Sequence, residues 1–136
     1  MASISIKELS GIDEDVVKEL RSAGIRTTDK FLEAARTPNG RKELASRLRL
    51  DRATVLCWAN KIDQMRIKGI GEDYAELLHA VGVKTVRDLK YRNPATLAKR
   101  MADTNKKRKL VQVLPSDKAV VRWVESAKKL PIKIKY

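Results

Sequence analysis

Residues Ile67-Lys68-Gly69-Ile70-Gly71-Glu72-Asp73-Tyr74-Ala75-Glu76-Leu77-Leu78, running on to Val81-Gly82-Val83-Lys84-Thr85, decide how the rest of the chain is read. Gly69 and Gly71 flank Ile70, the pattern of a tight turn with one apolar plug. A helix is expected at once, because Glu72 and Asp73 suit the positive end of a helix dipole. Tyr74, Leu77, Leu78 and Val81 then recur at the spacing of one helical face. Gly82 suits the end of that helix, where a left-handed cap costs glycine little. Thr85 is placed to cap the next helix, which begins Val86-Arg87-Asp88-Leu89.

The pattern occurs twice. A shift of 58 residues (69 minus 11) lays Gly11-Ile12-Asp13-Glu14-Asp15 on Gly69-Ile70-Gly71-Glu72-Asp73. The same shift lays Leu20 on Leu78, Gly24 on Gly82, Ile25 on Val83 and Thr27 on Thr85. Farther on, Val55-Leu56-Cys57-Trp58 matches Val120-Val121-Arg122-Trp123 at a shift of 65 (123 minus 58), so the second copy carries seven extra residues (65 minus 58). Met65-Arg66-Ile67-Lys68 matches Leu130-Pro131-Ile132-Lys133 at that second shift. Each copy is a hairpin unit, a middle helix and a Trp-bearing helix, and duplicated supersecondary units are expected to share one core. The expected fold is all-α: two tandem repeats, residues 1–66 and 67–136, about eight helices packed as one compact domain.

The helices are expected at Glu14–Ala23, Thr28–Ala35, Arg41–Leu48, Arg52–Met65, Glu72–Val81, Val86–Tyr91, Pro94–Thr104 and Asp117–Lys129. Thr37-Pro38-Asn39-Gly40 reads as a break. Asp51, Asn93 (with Pro94 at the first helical position) and either Ser116 or Asp117 are candidate caps. Val55, Trp58, Ala59 and Ile62 form one apolar stripe; Val120, Trp123, Val124 and Ala127 form its counterpart. Two segments stay open. Ser3–Lys7 either extends or turns, and the tail Leu130–Tyr136 either forms a short strand with Ile132, Ile134 and Tyr136 inward or frays.

The composition narrows the function classes. With 136 residues, 43% of them hydrophobic, the chain can build a core without metal or disulfide. The single cysteine, Cys57, excludes an internal disulfide and suits a reducing compartment. It reads as a buried structural thiol. No apolar run approaches the ~18 residues that would span a membrane, and the N-terminus lacks a signal-peptide core; a cytoplasmic protein is expected. Thirty Lys and Arg against 17 acids give a net charge of +13. The excess is uneven. Residues 1–66 hold 13 basic and 10 acidic residues, and residues 67–136 hold 17 and 7. The second half therefore points to a polyanionic partner.

Gly69, Ile70, Gly71, Ala75 and Leu78 fall on the apolar-x-Gly-apolar-Gly pattern of the helix-hairpin-helix motif, which this stretch closely resembles. The resemblance implies a turn that lays backbone N–H groups against a nucleic-acid phosphate without reading sequence. It also implies turn carbonyls able to hold a monovalent cation that bridges to phosphate. Over nearly all of its length the chain resembles a small stand-alone family of tandem helix-hairpin-helix proteins described as a domain of unknown function. That likeness implies a fold and a nucleic-acid role and nothing finer.

Lys68, Gly69, Ile70 and Gly71 are the best phosphate candidates, at a helix start where anions are favoured, with Lys84 flanking. Glu72 and Asp73 oppose this, since they put negative charge beside the same amides. In the first hairpin Asp13 replaces the second glycine within an acidic triplet, so that copy reads as structural or as the protein-facing one. The densest basic run, Lys99-Arg100 and then Lys106-Lys107-Arg108-Lys109, falls in the insertion of the second copy and is expected to contact a sugar–phosphate backbone. Arg87, Lys90 and Arg92 extend it. Nothing resembles a recognition helix aimed at base edges, so sequence-specific readout is not expected. Trp58 and Trp123 hold equivalent core positions and read as anchors rather than stacking platforms. His79 reads as a lone exposed histidine, and one His with one Cys cannot build a zinc site. No nucleophile–base pair or Walker-type loop is present, so neither an enzyme nor a cofactor is expected. The expected function is non-sequence-specific binding of nucleic acid, DNA over RNA. The alternatives are a scaffold that recruits an acidic protein, and a binder of structured RNA.

Overall fold

The apolar stripes become helices. A computed structural model describes residues 3–136, in which a 3-10 turn at Ile6–Glu8 precedes eight α-helices. These are α1 Glu14–Ser22, α2 Thr28–Ala34, α3 Pro38–Leu48, α4 Arg52–Gln64, α5 Glu72–Ala80, α6 Val86–Lys90, α7 Pro94–Arg108 and α8 Asp117–Lys129. Among the described residues the only β pairing is a single bridge between Ser5 and Thr27, so the fold is all-α. No described helix is long and apolar enough to cross a membrane. The helix lengths recur between the halves: α1 and α5 have nine residues each, α4 and α8 thirteen each. The third helices differ, eleven residues in α3 and fifteen in α7. The loop after α7 is also longer, eight residues (109–116) against three (49–51). The extra length of the second half is therefore divided between a helix and a loop.

Caps set most of the boundaries. The side chains of Thr27, Asn93 and Ser116 accept N–H groups in the first turns of α2, α7 and α8. Thr85 and Asp88 cap α6 reciprocally, which satisfies two of the N–H groups a helix start leaves without partners. Two boundaries correct the sequence reading. The break read at Thr37-Pro38-Asn39-Gly40 ends at the N-cap Thr37, and Pro38-Asn39-Gly40 form the first turn of α3. Thr37 Oγ1 accepts the Gly40 N–H at 3.0 Å, and Pro38 occupies the first helical position, where its missing N–H is not needed. Helix α7 runs past Thr104 to Arg108, because nothing at Thr104 stops it and cations suit a helix C-terminus. It ends at Lys109, whose φ of 52° is left-handed.

The contacts divide the chain into two compact units, Met1–Ile62 with Ile132–Tyr136, and Asp63–Pro131. In the first unit Ile6, Leu20, Phe31, Leu32, Val55, Ala59 and Ile134 are buried. The segment after Ser3 does both things open to it. Ile6 N–H donates to Arg26 O (2.9 Å) and Thr28 N–H to Ile4 O (3.0 Å) before the chain turns. The tail is extended. Lys135 N–H donates to Arg36 O (2.7 Å), Arg36 Nε to Lys133 O (3.1 Å) and Arg41 Nη2 to Lys135 O (2.8 Å). Of the three tail side chains expected inward only Ile134 is buried, at 3% exposure. Ile132 lies before the stretch that Arg36 and Arg41 hold and is exposed. Tyr136 keeps its ring largely exposed and donates its hydroxyl to Asn60 Oδ1 at 2.7 Å. Arg41 is itself buried, with Nη1 also donating to Ala35 O (2.9 Å) and Arg36 O (3.2 Å). Burial lowers its pKa, and the charge interaction with Tyr136 opposes that shift.

In the second unit Ile67, Ile70, Leu77, Leu78, Val83, Leu89, Leu97, Met101, Val120, Trp123 and Val124 form one core. Gln64, fully buried, donates its Nε2 to Val83 O (3.0 Å) and Thr85 O (3.3 Å). This ties the start of the unit to the turn that follows α5.

Candidate nucleic-acid interface

The two glycines of the quoted turn play different roles. Gly69 has φ +95°, a left-handed angle, and a Cβ there would stand 3.1 Å from Trp123 Nε1. The fold itself requires glycine at that position. Gly71 is extended, φ −94° and ψ −170°, and a Cβ there would meet nothing within 4 Å. Neither backbone angle nor packing within the protein requires glycine at 71. Its bare backbone leaves the outer surface of the turn open at the N-cap of α5, where N–H groups and the helix dipole favour an anion. Ile70 is the expected plug, 4% exposed, and its N–H donates to Ile67 O at 3.1 Å within the turn. Trp123 underlies the turn and packs its ring against Tyr74 with centroids 5.2 Å apart.

Tyr74 joins the turn to the long loop after α7. Its hydroxyl donates to Val113 O at 2.8 Å. The contact forms a ridge with a groove on each side. One groove, about 660 Å³, is bordered by Gly69, Gly71, Glu72, Asp73, Lys109 and Val113. The other, about 730 Å³, is bordered by Lys68, Gly69, Val113, Leu114, Ser116 and Arg122, among other residues, and has no carboxylate in its lining. The acidic pair therefore bears on the first groove only, with Lys109 facing it.

The structure brings some of the expected site residues together and separates others. Lys68, Gly69, Gly71 and Lys109 meet at the grooves. Lys99 and Lys106, and likewise Arg100 and Lys107, are seven residues apart, two turns or about 10 Å along α7. At about 100° per residue Lys99 and Lys106 lie opposite the buried Leu97 and Met101, Arg100 and Lys107 lie to one side of them, and Asp103 falls between the two pairs. Arg108 is exposed in the last turn. The basic run is thus mostly helical, carried past the expected end at Thr104 as far as Arg108, and the C-cap Lys109 lies at the hairpin. Lys84 and Arg87 stand apart. They follow the far end of α5, about 12 Å of helix from Gly71, beside Asp88, whose Oδ2 accepts the Lys84 and Thr85 N–H groups at 3.2 Å.

Lys68, Lys84, Arg87, Lys99, Arg100, Lys106, Lys107, Arg108 and Lys109 are all exposed. Among the described residues none of them joins an ion pair. Three other readings shift. His79 and Cys57 are half-buried, where an exposed histidine and a buried thiol were expected. Trp123 is a core anchor at 2% exposure, while Trp58 is only half-buried, with its ring 6.3 Å from that of Phe31. Two groove residues escaped the sequence reading. Arg122 lay hidden inside the match to Cys57, and that gain of charge on a Trp-bearing helix was the available signal. The Tyr74 hydroxyl was hidden because its partner is 39 residues away.

The chain belongs to the family described as Domain of unknown function (DUF4332), whose profile matches residues 10–130. No curated protein and no solved structure shows a significant match.

Proposed function

We propose that this member of the family binds duplex nucleic acid, DNA in preference to RNA, without reading its sequence, and that its two halves are helix-hairpin-helix-type repeats. The observation that carries the reading is the set of nine exposed, unpaired cations in the second unit. That unit holds 16 basic against 8 acidic residues. Unpaired cations along α7 and at its end are free to replace the counterions of a phosphate backbone. The open turn at Gly71 adds backbone N–H groups, and Arg122 with Lys68 adds a cationic groove free of lining carboxylates. Lys84 and Arg87 make a separate, smaller contribution at the far end of α5. No chemistry is performed on the nucleic acid. At physiological salt, four to six phosphate contacts correspond to dissociation constants of roughly 10⁻⁴–10⁻⁶ M.

The test is a titration of fluorescent duplex DNA, duplex RNA and single strands at two salt concentrations, with wild type and the double variant Lys106→Ala, Arg108→Ala. Duplex binding that weakens steeply with salt, and less steeply in the variant, supports the proposal. Salt-insensitive binding, or binding untouched by the double substitution, overturns it.

A further inference from the structure

We propose that Val113 and Leu114 form an apolar wedge that enters the base stack of a bound duplex. The protein then bends DNA and favours duplexes whose stacking is already interrupted. This rests on the duplex-binding reading above and goes beyond backbone contact. Val113 is 72% exposed and Leu114 41% exposed, two large apolar side chains directed to solvent within a strongly basic unit. They are nevertheless held firmly. Asn105 clamps the neighbouring Val111 from both sides, Nδ2 to its O and its N–H to Oδ1, each at 3.0 Å. Tyr74 holds Val113 O at 2.8 Å, and Ser116 begins α8 immediately after Pro115. A clamped loop loses little conformational entropy on insertion.

The surroundings select the occupant. Val113 borders both grooves; Lys68 and Arg122 line the one free of carboxylates, and Lys109 lies with Glu72 and Asp73 in the other. On the side that Leu114 also lines, Lys68 and Arg122 stand beside the apolar crest with no carboxylate, placed to take the phosphates that flank an opened base step. An apolar protein face would leave those cations stranded at its edge. Proteins that insert side chains of this kind unstack a base step and kink the duplex, regaining the cost through wider backbone contact. A step already broken by a bulge spares that cost.

The experiment uses an intact duplex and the same duplex with a single-nucleotide bulge, each carrying a donor and an acceptor dye at its ends. Wild-type protein is expected to bind the bulged duplex about tenfold more tightly and to raise energy transfer on binding to either. Val113→Ser with Leu114→Ser is expected to bring that ratio to about one and to abolish the bending, with the melting temperature held near wild type. Lys106→Ala with Arg108→Ala is expected to weaken both duplexes alike and preserve the ratio. If wild type shows no preference and no bending while still binding duplex, the wedge is overturned and the duplex reading stands. The wedge is equally overturned if the serine variant retains both effects, or melts well below wild type because the two side chains pack against the fold. Absence of binding to either duplex overturns both.

Discussion

Gly71→Ala separates a turn built for packing from one built for a ligand. The residue lies at φ −94°, ψ −170°, and an added Cβ meets nothing within 4 Å. Alanine restricts the unfolded chain, which favours the folded state by about 0.4–1 kcal/mol. It is also a poorer N-cap than glycine, which costs a comparable amount, about 0.5–1 kcal/mol. These effects nearly cancel, so the melting temperature should move by no more than about 2 °C. A methyl group on the outer face of the turn would hold a phosphate off the amides. Losing one hydrogen bond to a charged acceptor costs about 1.5–3 kcal/mol, a roughly 10- to 150-fold weakening. Thermal melts and fluorescence-anisotropy titrations on duplex DNA measure the two quantities side by side. Gly69→Ala calibrates them. With φ +95° and Trp123 Nε1 at 3.1 Å, it should lose about 1–2 kcal/mol of stability. A Gly71→Ala protein that melts and binds as wild type does would refute the argument that the turn contacts phosphate.

Other perturbations test neighbouring regions. Lys109 holds a left-handed φ of 52° that glycine adopts without strain, so Lys109→Gly should stabilise the protein by about 1 kcal/mol and weaken duplex binding; urea unfolding and the anisotropy titration read the opposed effects. Arg41→Ala leaves the carbonyls of Ala35, Arg36 and Lys135 without their shared donor. It should cost about 2–3 kcal/mol and release the tail to limited proteolysis. Arg41→Lys should rescue little, because an ammonium cannot reproduce the planar fork.

The features legible in the sequence were those decided by near neighbours. The apolar spacing of Tyr74, Leu77, Leu78 and Val81, and the caps at Thr85, Asn93 and Ser116, act within a turn or two of chain. The all-α class and most helix bounds follow from such signals. Thr37-Pro38-Asn39-Gly40 misled because proline and glycine mark a turn and a helix start equally well, and only the Thr37 cap decides. The tail could not be placed because Arg36 and Arg41 reach it across 97 and 94 residues. The grooves stayed hidden for the same reason, since the ridge depends on one long-range hydroxyl. Within the candidate site, the individual lysines and the hairpin were readable as residues. Their grouping was not: Lys109 joins the hairpin, Arg122 adds to it, and Lys84 with Arg87 falls at the other end of α5.

The most direct test of backbone docking is the dependence of duplex affinity on salt. Four to six phosphate contacts at about 0.9 each predict a slope of log affinity against log salt between about −3.5 and −5.5. Lys106→Ala with Arg108→Ala should make that slope shallower by about 1.8. A wild-type slope shallower than about −1, or a steep slope that the double substitution leaves unchanged, would contradict the account.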